Sequence, residues 1–108
     1  MRHVLPMTHS WLPRTAVNKI PETWGLPIAN QKGVGLRWFG PNPNSQGVRI
    51  DKAVPGGQPT QQVTHVVVRD GGRILGRDGK PITGSLQQNP TAHIPLDEWV
   101  TWSQWNKP

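Results

Sequence analysis

The sequence contains no cysteine, which removes a disulfide framework, a thiolate nucleophile and any Cys-based zinc site. It has no run of eighteen apolar residues, so no membrane-spanning helix is expected. Acidic residues are scarce: Glu22, Asp51, Asp70, Asp78, Asp97 and Glu98 are the only six. A two-metal nuclease needs several clustered carboxylates or histidines. Asp70 and Asp78 fall in turn sequences and Asp97 and Glu98 in the first turn of an expected helix, which leaves Asp51 and, in the Pro-rich lead-in, Glu22. A site built from Asp51, His65 and His93 would have no ligand spacing behind it, and no metal or other cofactor is expected. HExxH, GxGxxG and Walker patterns are absent, as are a nucleophile elbow around Ser85, an internal repeat and a heptad. Gly71-Gly72 and Gly76-Arg77-Asp78-Gly79-Lys80 read as hairpin turns rather than phosphate loops. The segment Met1–Trp11 does not read as a secretory signal, and the arm it begins reads as a piece of a longer protein.

Leu, Ile, Val and Phe number 24 of the 108 residues (22 %), just above the range of charged chains that stay unfolded. Six Trp residues tip the balance toward folding, because each buries a large apolar area. One domain is the sensible count for this length. Gly and Pro, twelve of each, favour turns and short strands over long helices. Twelve Lys and Arg give a formal charge of +6 and a pI near 10.9. The excess is central: Lys32, Arg37, Arg49, Lys52, Arg69, Arg73, Arg77 and Lys80 face only Asp51, Asp70 and Asp78, a local balance of +5. That density suits a polyanion, nucleic acid first, or an acidic protein; a basic surface with no dedicated partner is the plainer alternative.

Residues 1–31 read as a weakly structured Pro-rich lead-in, since Pro6, Pro13, Pro21 and Pro27 leave no comfortable room for a helix. Trp11 and Trp24 are candidates to tack it onto the body. From residue 32 the pattern changes. Val34, Leu36 and Trp38 alternate with Gly35, Arg37 and Phe39, and Val48 and Ile50 with Arg49 and Asp51. Gln61–Arg69 is rich in Val, and Asp70-Gly71-Gly72 turns it into Arg73–Gly76. Thr91–Ile94 reads as extended. Pro95, Asp97 and Glu98 open a C-terminal helix on which Trp99, Trp102 and Trp105 lie along one side, as core or, less simply, as a base-stacking surface. The expected fold is α+β: a small, twisted, mostly antiparallel sheet from segments near 34–39, 47–52, 61–69 and 73–76, with the C-terminal helix packed on it.

The residues available for chemistry favour acid/base work without metal. RNA carries its own nucleophile, the 2′-hydroxyl. Cleaving it needs a base, an acid and cations for the phosphorane charge. His supplies the first two near neutral pH, and Arg and Lys the third. Strand parity sends Arg49 and Asp51 to one face. His65 shares a face with Val63, Val67 and Arg69, and reads either as a satisfied core or sheet histidine or as functional. His93, beside Thr91 at a loop-to-helix junction, reads as an acid/base group or as a brace for the helix start. His3 and His9 lie in the lead-in and are set aside.

The strings Arg49-Ile50-Asp51-Lys52, Val63-Thr64-His65-Val66-Val67-Val68-Arg69, Gly76-Arg77-Asp78-Gly79-Lys80-Pro81-Ile82, Asn89-Pro90-Thr91-Ala92-His93-Ile94-Pro95-Leu96 and Trp102-Ser103-Gln104-Trp105-Asn106-Lys107-Pro108 resemble, in order and spacing, the C-terminal toxin domains of bacterial polymorphic toxins. These belong to the contact-dependent growth inhibition and Rhs type, and the resemblance covers roughly residues 32–108. It implies a small α+β ribonuclease, in several cases a tRNase, neutralised by an immunity protein. Some members act on tRNA with translation elongation factor Tu. The implied setting is interbacterial competition, with the toxin delivered from a secreted or cell-surface effector into the target-cell cytoplasm. Carried over by motif, the catalytic candidates are Arg49, Asp51, His65, Thr91 and His93, with Lys52 beside them. The substrate-binding candidates are Lys52, Arg37, Arg69, Arg77 and Lys80. The immunity partner of so basic a domain is expected to be acidic. A metal-dependent DNase toxin and a non-enzymatic nucleic-acid- or protein-binding module are the alternatives.

Overall fold

A computed structural model describes residues 11–29, 35–57, 59–86 and 89–108. The expectations for residues 1–10, His3 and His9 among them, and for Lys32 and Val34 lie outside these.

Alternation of apolar and polar side chains produces the central strands. Strand β1 (Ile28–Ala29) pairs with β2 (Gly35–Phe39), β2 with β3 (Gly47–Asp51), and β3 with β4 (His65–Asp70), every pair antiparallel. The other edge of β4 takes β5 (Arg73–Ile74) at its C-terminal end and β6 (Ile94–Pro95) at its N-terminal end. The result is a mostly antiparallel open sheet of six strands with a short C-terminal helix, a small α+β fold. The β4–β5 turn is Gly71-Gly72, both at positive φ (60° and 76°), the backbone that a two-residue hairpin needs.

One face of the sheet is the core. Leu36 and Trp38, Val48 and Ile50, and Val66 and Val68 all point into it and are buried, together with Ile94, Trp99 and Trp102. Here the lead-in departs from expectation. Between Pro13 and Pro21 the chain forms helix α1 (Arg14–Lys19), whose Ala16 and Val17 join Leu12 and Ile20 in the same core. Pro13 is its N-cap residue, where a missing N–H costs nothing. Six residues form no stable helix alone; burial against the sheet holds this one. Trp24 lies edge-on to Trp105 at 4.7 Å, so residues 11–29 are part of the folded body.

The C-terminal helix is shorter than the Trp spacing implies. Helix α2 spans Leu96–Trp99. The Thr101 hydroxyl and amide both turn back to the Glu98 carbonyl, at 2.6 and 3.0 Å, and the chain then folds over. The Trp99 indole N–H donates to the Trp105 carbonyl at 2.9 Å. The three Trp residues gather through this turn rather than along a helix face, and Trp99 and Trp102 are core, not a stacking surface.

Candidate active site

The opposite face of the sheet carries polar rows set by strand register. Gly35, Asp51, His65 and Pro95 stand in line across β2, β3, β4 and β6. The next row on that face is Arg37, Arg49 and Val67, and the one beyond is Phe39, Gly47, Arg69 and Ile74. Register thus fixes where His65 points: it faces Asp51, away from the core.

Asp51 is the hub of the first row. Its Oδ2 lies 2.9 Å from Arg49 Nε and 3.3 Å from His65 Nε2. The Arg49 contact is an ion pair rather than an aligned hydrogen bond, since the buried Nε–H meets no hydrogen-bond geometry. His65 Nδ1 lies 3.1 Å from the Val63 carbonyl, so both ring nitrogens of this histidine face acceptors. Asp51 and His65 are only 7 % and 2 % exposed, which makes their mutual pairing obligatory. The carboxylate fits because residue 35 has no side chain. A Cβ at Gly35 would sit 2.2 Å from the Ile50 carbonyl oxygen and 2.7 Å from Asp51 Oδ1. Gly35→Ala is therefore expected to destabilise the protein by about 1–3 kcal/mol, by the usual cost of overpacking. A thermal melt checks this, and an unchanged midpoint would show that the β3 backbone at Ile50 and Asp51 can shift to admit a Cβ.

His93 enters from the segment before β6, which pairs with β4 beside His65. The two imidazole rings lie 5.0 Å apart at 65°. His93 Nε2–H donates to the Leu86 carbonyl at 3.0 Å in the neutral tautomer that this acceptor selects. That leaves Nδ1 as a lone pair, buried and without a hydrogen-bond partner among the described residues. Burial lowers the His93 pKa below its usual 6.5, and the nearby His65 and Arg49 add to this; the Leu86 carbonyl and Asp51 oppose it.

Thr91 does not join this cluster as an extended segment would place it. Asn89-Pro90 is a helix-start signal, and Pro90–Ala92 forms a 3₁₀ turn with Asn89 capping the Thr91 amide at 3.2 Å. The Thr91 hydroxyl donates to Asn89 Oδ1, and the residue lines a separate cleft of about 400 Å³ with Arg77 and Lys80. Arg77 is committed there to a bidentate pair with Glu98, which holds the Glu98 carboxyl below its usual range. Lys52 is exposed just past the end of β3.

Arg37, Arg49 and Arg69 instead line a shallow cleft of about 250 Å³ on the polar face, with Phe39, Asn44 and Leu86. Leu86 links this cleft to His93 through its carbonyl, and Arg49 links it to Asp51. Of the residues expected from sequence, the structure therefore gathers Arg49, Asp51, His65 and His93, with Arg37 and Arg69 alongside. Thr91, Arg77 and Lys80 fall elsewhere. Gly35, Phe39, Asn44 and Leu86 join the site without a motif in the sequence that marks them. For Phe39 a pointer existed, its parity with Arg37. No group of three or more His, Asp or Glu side chains among the described residues is arranged to hold a metal ion. The chain matches no family model, no curated protein and no solved structure.

Proposed function

We propose that this chain is a metal-independent endoribonuclease toxin, acting on RNA and on tRNA in particular, and neutralised by an acidic immunity protein. The observation that supports the reading best is the cluster Arg49–Asp51–His65–His93 beside an arginine-lined cleft. In the proposed reaction the neutral His93 takes the proton of the 2′-hydroxyl. The 2′-oxygen attacks phosphorus, the bond to the 5′-oxygen breaks, and a 2′,3′-cyclic phosphate forms. His65, entering as the imidazolium paired with Asp51, turns its Nε2–H from that carboxylate to the departing 5′-oxygen and ends neutral with Nδ1–H on the Val63 carbonyl. His93 then releases its proton to solvent, and Arg49 balances the charge on the phosphorane. His93 Nδ1 is enclosed, so RNA reaches it only after the ring turns from Leu86. That enclosure also favours a second reading, a nucleic-acid-binding module in which the two histidines brace the fold.

Induced in a bacterium, the chain is expected to arrest growth and leave discrete tRNA fragments on a denaturing gel. Co-expression of the product of the adjoining open reading frame should prevent both. The purified chain is expected to cleave RNA undiminished in chelator. Cleavage of DNA that stops in chelator and returns with magnesium would establish the metal-dependent alternative. RNA binding without turnover would establish the binding module.

A further inference from the structure

We propose that the arginine-lined cleft is a subsite for one unpaired nucleotide of an RNA strand, its base stacked on Phe39 and its phosphates held by Arg37 and Arg69. The choice of RNA rests on the ribonuclease reading above. Phe39 is 36 % exposed on the polar face, at the end of β2. The Arg37 guanidinium lies 5.8 Å from its ring centroid, which steadies the ring and places a cation beside it. Across the register from Phe39 stands Gly47, and then Arg69. A residue without a side chain between an aromatic ring and a guanidinium leaves the floor of the cleft open. Asn44 lines the rim, and its amide offers both a donor and an acceptor to a base edge. Among the described residues no acidic side chain lines the cleft, and Arg37 and Arg69 form no ion pair with any of them. At about 250 Å³ the cleft is smaller than the pockets of about 300–1,000 Å³ that enclose drug-sized ligands, so it would hold part of a strand at its surface rather than enclose a ligand.

The site selects an unpaired base for a physical reason. In a duplex both faces of each base are already stacked, so an aromatic side chain meets a free π-face only in a single strand or loop. Row spacing gives the strand a direction. Successive rows on one face lie about 6.6 Å apart along a strand. A base on the Phe39 row thus puts the neighbouring phosphodiester over Arg37 and Arg49, toward the Asp51–His65 row.

A fluorescein-labelled hexamer of 2′-O-methyl RNA tests this, because its blocked 2′-oxygen prevents cleavage and leaves binding alone to be read by anisotropy. Phe39→Ala is expected to weaken binding by about tenfold to a hundredfold, the range of one stacked base. Phe39→Trp should bind at least as tightly as the original chain, and the same hexamer annealed to its complement should not distinguish Phe39→Ala from it. Equal hexamer binding by the Ala variant, equal loss in the Trp variant at an unchanged melting midpoint, or no binding by the original chain at low salt would each overturn the subsite. If these binding differences appear while unmodified RNA survives intact, the subsite stands and the ribonuclease reading falls. If RNA is cleaved and Phe39→Ala binds normally, the reverse holds.

Discussion

Replacing His93 with alanine is expected to lower RNA cleavage by about a hundred- to ten-thousand-fold, the contribution of a positioned acid/base group. The fold should survive. The side chain is half-buried and makes one hydrogen bond, to the Leu86 carbonyl, whose loss costs about 1 kcal/mol. In a domain of this size that lowers the melting midpoint by about 4–8 °C. A folded His93→Ala protein that cleaves at the original rate would remove His93 from the reaction. Two pH effects accompany the assignment. Burial keeps the imidazole neutral to lower pH than a free histidine, so the acid limb of kcat/KM should fall below pH 6.5. Stability follows the same sign. The unfolded chain takes up the proton first as pH falls through 6.5, so the native state loses stability down to the lowered native pKa and no further. His93→Ala should abolish that component of the acid destabilisation.

The sheet was legible in the sequence because a period of two admits few solutions once one face must be buried. Leu36 and Trp38, Val48 and Ile50, and Val66 and Val68 could share a core only with Arg37, Arg49 and Asp51 turned the other way. The segments that escaped are those whose structure depends on distant partners. Helix α1 lies between two prolines and has too few residues to stand alone, so its existence depends on the core that Ala16 and Val17 meet. The Trp99–Trp105 spacing mimics a helical stripe, yet Thr101 hydrogen-bonds backward and the Trp105 carbonyl caps the Trp99 indole.

The site was legible by residue type more than by place. Arg49 and Asp51 share a face by parity alone, but whether His65 points to the core or to Asp51 is open until the β3–β4 register is known, because Val67 on the same face looks apolar. Thr91 and His93 are two residues apart and share a side only if the chain is extended. The Asn89-Pro90 start signal was present and tightened the segment into a 3₁₀ turn, which carried Thr91 to another cleft. Nothing local tells Arg37 from Arg77. The difference is Glu98, which is 21 positions from Arg77 and meets it only in the folded chain.

Asp51→Ala is expected to cost about 3 kcal/mol of stability and to lower cleavage about a hundredfold in the protein that remains folded. The stability loss arises because Arg49 and His65 would be left facing one another without the carboxylate that sits 2.9 and 3.3 Å from them. It lies at the low end for a broken buried pair because the Arg49 side chain, 22 % exposed, keeps some contact with water. Asp51 acts here as a positioning residue, through His65 and Arg49, so a loss of activity alone would not separate function from folding. A second substitution does. Adding Arg49→Met to Asp51→Ala removes the stranded charge and should return much of the melting midpoint, since apolar replacement of a buried pair is often neutral. Cleavage should not return, because the phosphorane then lacks its cation and His65 its partner. The loss should appear in kcat with KM little changed, as expected for an interaction made in the transition state. A double variant that regains both stability and kcat would reduce the cluster to a structural pairing and move the chemistry away from this row of the sheet.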